Sequence, residues 1–289
     1  MRALLSVANR EGIVPFARDL IALGVEVIAT EGTRELLAAE GIEVRSVSEL
    51  TGAEPIAGGQ VKTLHPAIYA GILARRDKPE QLAELEAQHI GLIDIVAVNV
   101  SRFAPQVGER LVPIDEAIEM IDIGGAALLA AAARNYAGVA AVANPARYIQ
   151  VIAEIRLRGG VSAELRQRLA AEAYGLVAAY HAEIAAYLSN QAGELFPGRL
   201  ALVLEKVDEL RYGENPSQHA AFYRETTHRA GTLADATQIQ GSRPSFNDLL
   251  DLDAAYAIAT DFTAPTVTIV KHTDPVGLAS DEELVEACR

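Results

Sequence analysis

RALLSVANREGIVPFARDLIALGVEVIAT, residues 2–30, decides the fold. RALLSVA (2–8) reads as a buried strand, and GIVPFARDLIAL (12–23) as an amphipathic helix. Gly24 follows in the position that a left-handed helix C-cap prefers. VEVIAT (25–30) is then a second strand. Two strands joined by a helix lie parallel, because the helix carries the chain back to the starting edge. Outward from this unit the alternation continues. TEGT (30–33) is expected as a polar turn, RELLAAE (34–40) as a helix and IDIVAV (93–98) as a strand. Gly124-Gly125 is expected as a turn before an Ala-rich helix at 126–134, with a strand at 138–143. The expected fold class is α/β, a doubly wound parallel sheet whose ligand loops gather at the carboxyl ends of its strands.

A long helix is expected over 162–190, with Leu165, Leu169, Ala173, Leu176, Tyr180, Ile184 and Leu188 on one apolar face. QAGELFPGR (191–199) breaks that pattern and places a boundary between residues 1–195 and 196–289. In the second part ALVLEKVDEL (201–210) starts a new element, and a helix over 247–261 precedes a strand TVTIV (266–270).

Composition limits the function. Of 289 residues 50% are hydrophobic, and 25 cations against 39 carboxylates leave a net charge of −14. Such a surface repels phosphate backbones, so nucleic acid is not an expected partner. No apolar run reaches the length of a membrane span, and the N-terminus reads as a strand rather than a signal peptide. The single Cys288 allows no intramolecular disulfide and fits a reducing cytoplasm. His89, His181, His219 and His228 show no metal-ligand spacing, so no metal site is expected.

Four loops gather polar groups. Ser6–Arg10 with Thr30, Gly32 and Thr33 offers hydroxyls and N–H groups for a phosphate, or simply caps a helix. GGQVKTLHP (58–66) places Lys62 and Thr63 behind a Gly pair, and His65 before Pro66 is held out of helical geometry. Only four lysines occur, so a Lys in this loop points to a compact or tunable ammonium, against the alternative of a solvated turn. Asp122, two residues before Gly124-Gly125, is either a proton acceptor or a helix cap. RYGENPSQ (211–218) and VKHTDPVG (270–277) form the fourth group, with Lys271-His272 expected as a buried pair at a strand end.

In order along the chain, GGQVKTLHPAIYAGILARR, IDIGGAALLAAAARN, LRYGENPSQHAAFY, SFNDLLDLDAA and IVKHTDPVG resemble the bifunctional purine-biosynthesis enzymes that combine AICAR transformylase with IMP cyclohydrolase. The resemblance implies a methylglyoxal-synthase-like cyclohydrolase domain over 1–195. It implies part of a second α/β, cytidine-deaminase-like transformylase domain over 196–289. It also implies a cytoplasmic homodimer whose small-molecule ligands are formyl-AICAR, IMP and AICAR. On this basis Lys62 faces a developing oxyanion, Asp122 handles the carboxamide proton, and Thr63 and Asn99 hold the ring. Ser6, Arg10, Thr30, Gly32 and Thr33 would grip the ribose phosphate, with Gly124, Gly125 and Arg134 also at the site, and His65 would be structural. Arg211 and Tyr212 would bind the AICAR phosphate, Asn247 the ring, and Lys271 with His272 would deprotonate the amine. The ring closure needs no cofactor; formyl transfer takes 10-formyltetrahydrofolate as co-substrate. Family chains extend well past Arg289 and carry the folate side there, so transfer is not expected of residues 1–289 alone.

The chain departs from the family pattern at Ala8, Arg10, Glu31, Gln60, Ser101 and Arg134, where Ser, Lys, Gly, Arg, Tyr and Lys are usual. Asp274, Val276 and Ser217 are further departures. These changes leave two other outcomes to weigh: a nucleotide-binding homologue without turnover, and a partial transformylase that binds AICAR.

Overall fold

The computed structural model describes residues 1–101, 103, 112–226 and 231–289. His228 lies outside the described residues. The chain divides into two compact units, Met1–Leu200 and Ala201–Arg289.

The first unit is built on one sheet. Strands β1 (Arg2–Val7), β2 (Glu26–Ala29), β3 (Arg45–Ser46), β4 (Ile95–Asn99) and β5 (Ala140–Val142) lie in the order β3-β2-β1-β4-β5, and every pairing is parallel. Side chains alternate across it. Ala3 and Leu5 of β1 join Phe16, Leu20 and Ile152 on one face, while Leu4 joins Ile68, Ile72 and Leu128 on the other. β4 divides in the same way, Ile95 and Ala97 against Val96 and Val98. Helices cover both faces, which is why the strands read as unbroken apolar runs. Each Leu or Ile buried there contributes about 1.5–3 kcal/mol. From β1 the chain winds outward to β2 and β3, then returns to place β4 and β5 on the other side. The crevice therefore opens at the carboxyl ends of β1 and β4.

The opening stretch folds as its pattern requires: helix Ile13–Ala22 joins β1 to β2, and Gly24 is left-handed at φ 76. Two expected turns are helix starts instead. TEGT (30–33) opens helix Glu31–Ala39, with Thr30 as N-cap and its carbonyl accepting the N–H groups of Thr33 (2.9 Å) and Arg34 (2.8 Å). Gly32 is tolerated there because first-turn N–H groups have no intrahelical partner to lose. Gly124-Gly125 likewise lies inside the first turn of helix Ile123–Arg134, for a reason that belongs to the site. The long helix spans Ala163–Gln191; its buried stripe ends at Ile184, and Leu188 is exposed.

Among the described residues the second unit contains two antiparallel hairpins, two α-helices and one short 3-10 turn. β6 (Leu204–Glu209) pairs with β7 (Ala221–Glu225), and β8 (Thr266–Lys271) with β9 (Asp274–Ser280). Helix Phe246–Thr260 lies between the hairpins in sequence, and helix Leu284–Cys288 follows them. Lys271-His272 is not the buried strand end expected. The chain reverses through His272 (φ 56) and Thr273 (φ 64), and both Lys271 and His272 are exposed. Two left-handed residues are what a two-residue hairpin demands, and the missing Gly hid that turn. Among the described residues of this unit Ala287 is the one apolar side chain that is buried. Leu202, Ile239, Ile269 and Val276 are each more than half exposed.

Candidate active site

Five segments of the first unit converge at the carboxyl end of the sheet. At the end of β1 the Ser6 hydroxyl accepts from Thr30 Oγ1 at 3.1 Å, and Val7 N–H donates to Thr33 Oγ1 at 3.1 Å. Thr30 and Thr33 are buried, so these hydroxyls brace β1 against the head of helix Glu31–Ala39. Asn99, at the end of β4, is buried and its amide is engaged. Its Oδ1 accepts from Ala8 and Asn9 N–H at 2.8 and 2.7 Å, and its Nδ2 donates to the Asn9 carbonyl at 3.0 Å. Asn99 thus holds the loop after β1. Its Nδ2 carries a second hydrogen that this hold does not use.

The loop before Lys62 is closed by a bridge between Ile56 and Val61. Inside it Ala57, Gly58 and Gly59 are all left-handed, at φ 52, 65 and 90, so the Gly pair serves backbone reversal. Gln60 Nε2 then donates to the Glu119 carboxylate at 3.3 Å. Lys62 is exposed to the cavity, while Thr63 is buried. His65 caps helix Pro66–Leu73, its Nδ1 accepting from Ala67 N–H at 3.2 Å, in keeping with the structural role expected of it.

Asp122 is the N-cap of helix Ile123–Arg134, and Gly125 N–H donates to its Oδ1 at 2.8 Å. A Cβ on Gly124 would come 2.9 Å from Thr63 Oγ1, and one on Gly125 would collide with the Asp122 carboxylate. The two glycines are therefore close-approach positions, which draw Thr63 and the cap against the helix. Asp122 N–H donates to the Tyr180 hydroxyl at 2.7 Å. Burial pushes the Tyr180 phenol above its usual range, with the Asp122 charge adding to the rise. Tyr69 is pushed up to about 12, first by burial and then by the same charge.

Ser6, Gln60, Lys62, Thr63, Glu119 and Asp122 line one cavity of about 250 Å³ together with Gly124 and Gly125. An ammonium, a carboxylate and the head of a helix at one opening can stabilise an oxyanion and accept a proton. Beside it Ala8, Asn9, Asn99, Ser101 and Glu172 line a larger cavity of about 810 Å³. Arg10 and Gly32 are exposed and line neither. Arg134 is not at the site within this chain. It ends the helix that Asp122 begins, about 17 Å along the axis, and lines a separate cavity of about 730 Å³ with Glu80 and Glu84.

In the second unit Arg211, Tyr212 and Asn247 meet near the head of helix Phe246–Thr260. The Arg211 guanidinium lies 4.9 Å from the Tyr212 ring centre and 3.4 Å from Asp248 Oδ2. Hydrogen bonds from the Ser245 backbone and hydroxyl, then the Arg211 charge, hold the Asp248 carboxyl below its usual range. Asn247 Nδ2 donates to the Glu214 carbonyl at 3.2 Å. Thr273 N–H donates to Asp251 Oδ1 at 2.7 Å and fixes the His272–Thr273 turn to the same helix. Among the described residues no cluster of His, Cys, Asp or Glu has the arrangement of a metal site. None of the described helices is long and apolar enough to cross a membrane.

The model of the AICARFT/IMPCHase bienzyme family matches residues 132–289, more than half of the sequence, and that of the MGS-like domain matches 12–127. The chain belongs to the AICARFT/IMPCHase family. It is 44% identical over 286 residues to the bifunctional purine biosynthesis protein PurH of Listeria monocytogenes, and 46% over 294 residues to that of Desulfitobacterium hafniense. Each comparison covers 99% of this chain, which spans 56% of the length of those relatives. The crystal structure of ForH is 35% identical with a TM-score of 0.57, over 64% of this chain and 97% of that one. The family accounts for an MGS-like parallel sheet followed by part of an AICARFT domain.

Proposed function

We propose that the first unit closes the purine ring of formyl-AICAR to give IMP. The observation that carries this reading is the presence of Lys62 and Asp122 in the lining of one cavity with Ser6, Thr63 and the Gly124-Gly125 helix head. The carboxamide nitrogen attacks the formyl carbon. As that C–N bond forms, the formyl oxygen takes the electron pair beside the Lys62 ammonium, and Asp122 accepts the proton leaving the nitrogen. Asp122 returns that proton to the oxyanion, and the hydroxyl so formed departs as water with the proton that the former formamide nitrogen gives up as the ring C=N bond forms. The step is an internal addition and dehydration that consumes no cofactor. Conversion of formyl-AICAR to IMP by the full chain, followed by absorbance, tests it; absence of turnover refutes it.

A second reading has its own support. Glu31 is the first residue of helix Glu31–Ala39, where an anion such as the ribose phosphate would meet the helix dipole, and its carboxylate pairs with Arg34 at 2.9 Å. A carboxylate there weakens phosphate binding, and this favours a homologue that binds nucleotide with little turnover. Glu31→Gly removes that charge and frees Arg34. It is expected to tighten IMP binding about threefold or more, read by calorimetry; an unchanged affinity would place the phosphate elsewhere.

The second unit supplies the AICAR side of a transformylase in this reading, through Arg211, Tyr212 and Asn247, with Lys271 and His272 on the adjacent turn. We assign no residue of 201–289 to 10-formyltetrahydrofolate. A cytoplasmic homodimer belongs to the same reading, and the exposed apolar side chains of 201–289 support association. Light scattering on the full chain is expected to give about twice the 30.7 kDa of one chain; a monomer at micromolar concentration would refute it.

A further inference from the structure

Asp122 is fixed at two points. Its Oδ1 accepts from Gly125 N–H at 2.8 Å, and its backbone N–H donates to the Tyr180 hydroxyl at 2.7 Å. The first N–H groups of a helix have no intrahelical partners, and the one at the N-cap residue is commonly taken by an acid or amide three positions on. This chain does so elsewhere. Glu49 takes the Ser46 N–H at 3.2 Å at the head of helix Val47–Thr51, and Asp248 takes the Ser245 N–H at 2.8 Å at the head of helix Phe246–Thr260. After Asp122 the third position is Gly125, whose missing Cβ is what lets the Asp122 carboxylate fold back against it. With no side chain there, the Tyr180 hydroxyl comes across from helix Ala163–Gln191 to take the N–H. Tyr180 is buried in one apolar cluster with Ala117 of helix Ile114–Glu119 and Ala126 of helix Ile123–Arg134, which flank Asp122 in sequence. Burial keeps its phenol neutral at neutral pH.

We propose that Tyr180 is a positioning residue: its hydroxyl stands in for the missing capping side chain at 125, fixes the Asp122 backbone and so sets the Asp122 carboxylate in the cavity it lines with Lys62. The proposal rests on the reading of Asp122 as the proton acceptor. It explains why the N–H is taken from a distant helix. An acid at 125 would put a second negative charge against the Asp122 carboxylate and favour its protonated form. A neutral phenol holds the backbone and leaves the carboxylate ionised, ready to accept a proton.

Tyr180→Phe deletes only the oxygen and keeps the ring in its cluster. In the full chain, assayed well below the melting temperature, it is expected to lower kcat for formyl-AICAR about tenfold with KM within about twofold, part of the roughly 10²-fold that a misplacement of about 1 Å costs. In an Asp122→Asn background the same change is expected to cost no further activity, because the group it places is gone. An unchanged kcat would overturn the proposal, as would a tenfold loss that persists without the Asp122 carboxylate. The Gly125 amide proton gives a readout that needs no turnover, since it donates to Asp122 Oδ1 and reports where the carboxylate sits. Identified by its displacement in Asp122→Ala, its NMR resonance is expected to move upfield in Tyr180→Phe. The Glu49 amide, which donates to Ser46 Oγ at 3.0 Å, is expected to stay and so separates a local effect from a global one. Should the unaltered protein fail to turn over, the ring-closure reading falls, and the Gly125 resonance alone decides whether Tyr180 places the carboxylate. An unmoved Gly125 resonance overturns the proposal in either case.

Discussion

Lys62→Ala is expected to lower the rate of IMP formation from formyl-AICAR by about 10²–10³-fold, the size of effect seen when one donor to a developing oxyanion is removed. The fold has little at stake in this side chain. Lys62 is exposed, and the loop that carries it is held by the Ile56–Val61 bridge, by left-handed Gly58 and Gly59, and by buried Thr63. The melting temperature is therefore expected to stay within about a degree, since surface changes usually fall within ±0.5 kcal/mol. Loss of rate without loss of stability separates a chemical role from a structural one. Lys62→Arg extends the test. It keeps the charge and replaces a compact ammonium with a planar fork, so it is expected to recover binding more than kcat. An Ala variant with the kcat of the unaltered protein would remove Lys62 from the chemistry.

The sheet was legible from the first thirty residues because it is buried on both faces, and burial on both faces writes itself as continuous apolar strands. The site was legible only in part. Lys62 stood out by rarity and Asp122 by its place before a Gly pair. What the pair is for was legible only in part: the Asp122 carboxylate that needs the space at Gly125 is its local cap, but Thr63 Oγ1, which needs the space at Gly124, is brought there by the tertiary fold. Tyr180 reads as a member of an apolar helix face, and its ring is one; nothing local says that its oxygen meets the Asp122 backbone N–H. Arg134 shows the opposite relation between motif and fold. The motif match groups it with Asp122, yet Arg134 closes the twelve-residue helix that Asp122 caps, and the rise of a helix keeps the two apart within one chain. His272–Thr273 was missed because its left-handed turn lacks the Gly or Asn that usually announces one.

Asp122 separates two roles that the sequence left open, cap and proton acceptor, and the structure shows the first without excluding the second. Asn is as good an N-cap as Asp, and its side-chain oxygen can still accept from Gly125 N–H. Asp122→Asn should therefore keep the head of helix Ile123–Arg134 and its contact with Thr63, at a melting temperature close to that of the unaltered protein. Asn is no base at neutral pH, however, and loss of a general base costs about 10²–10⁴-fold in rate. Asp122→Ala removes the cap as well and should lose a further 0.5–2 kcal/mol of stability, roughly. Kinetics and melting curves on both variants make the comparison. If Asn restores both stability and rate where Ala loses them, the carboxylate is a cap and nothing more. If Asn restores stability while kcat stays down with KM little changed, the carboxylate acts on the transition state. Its place at a helix head would then be what brings a base and the Gly124-Gly125 N–H groups to the same opening.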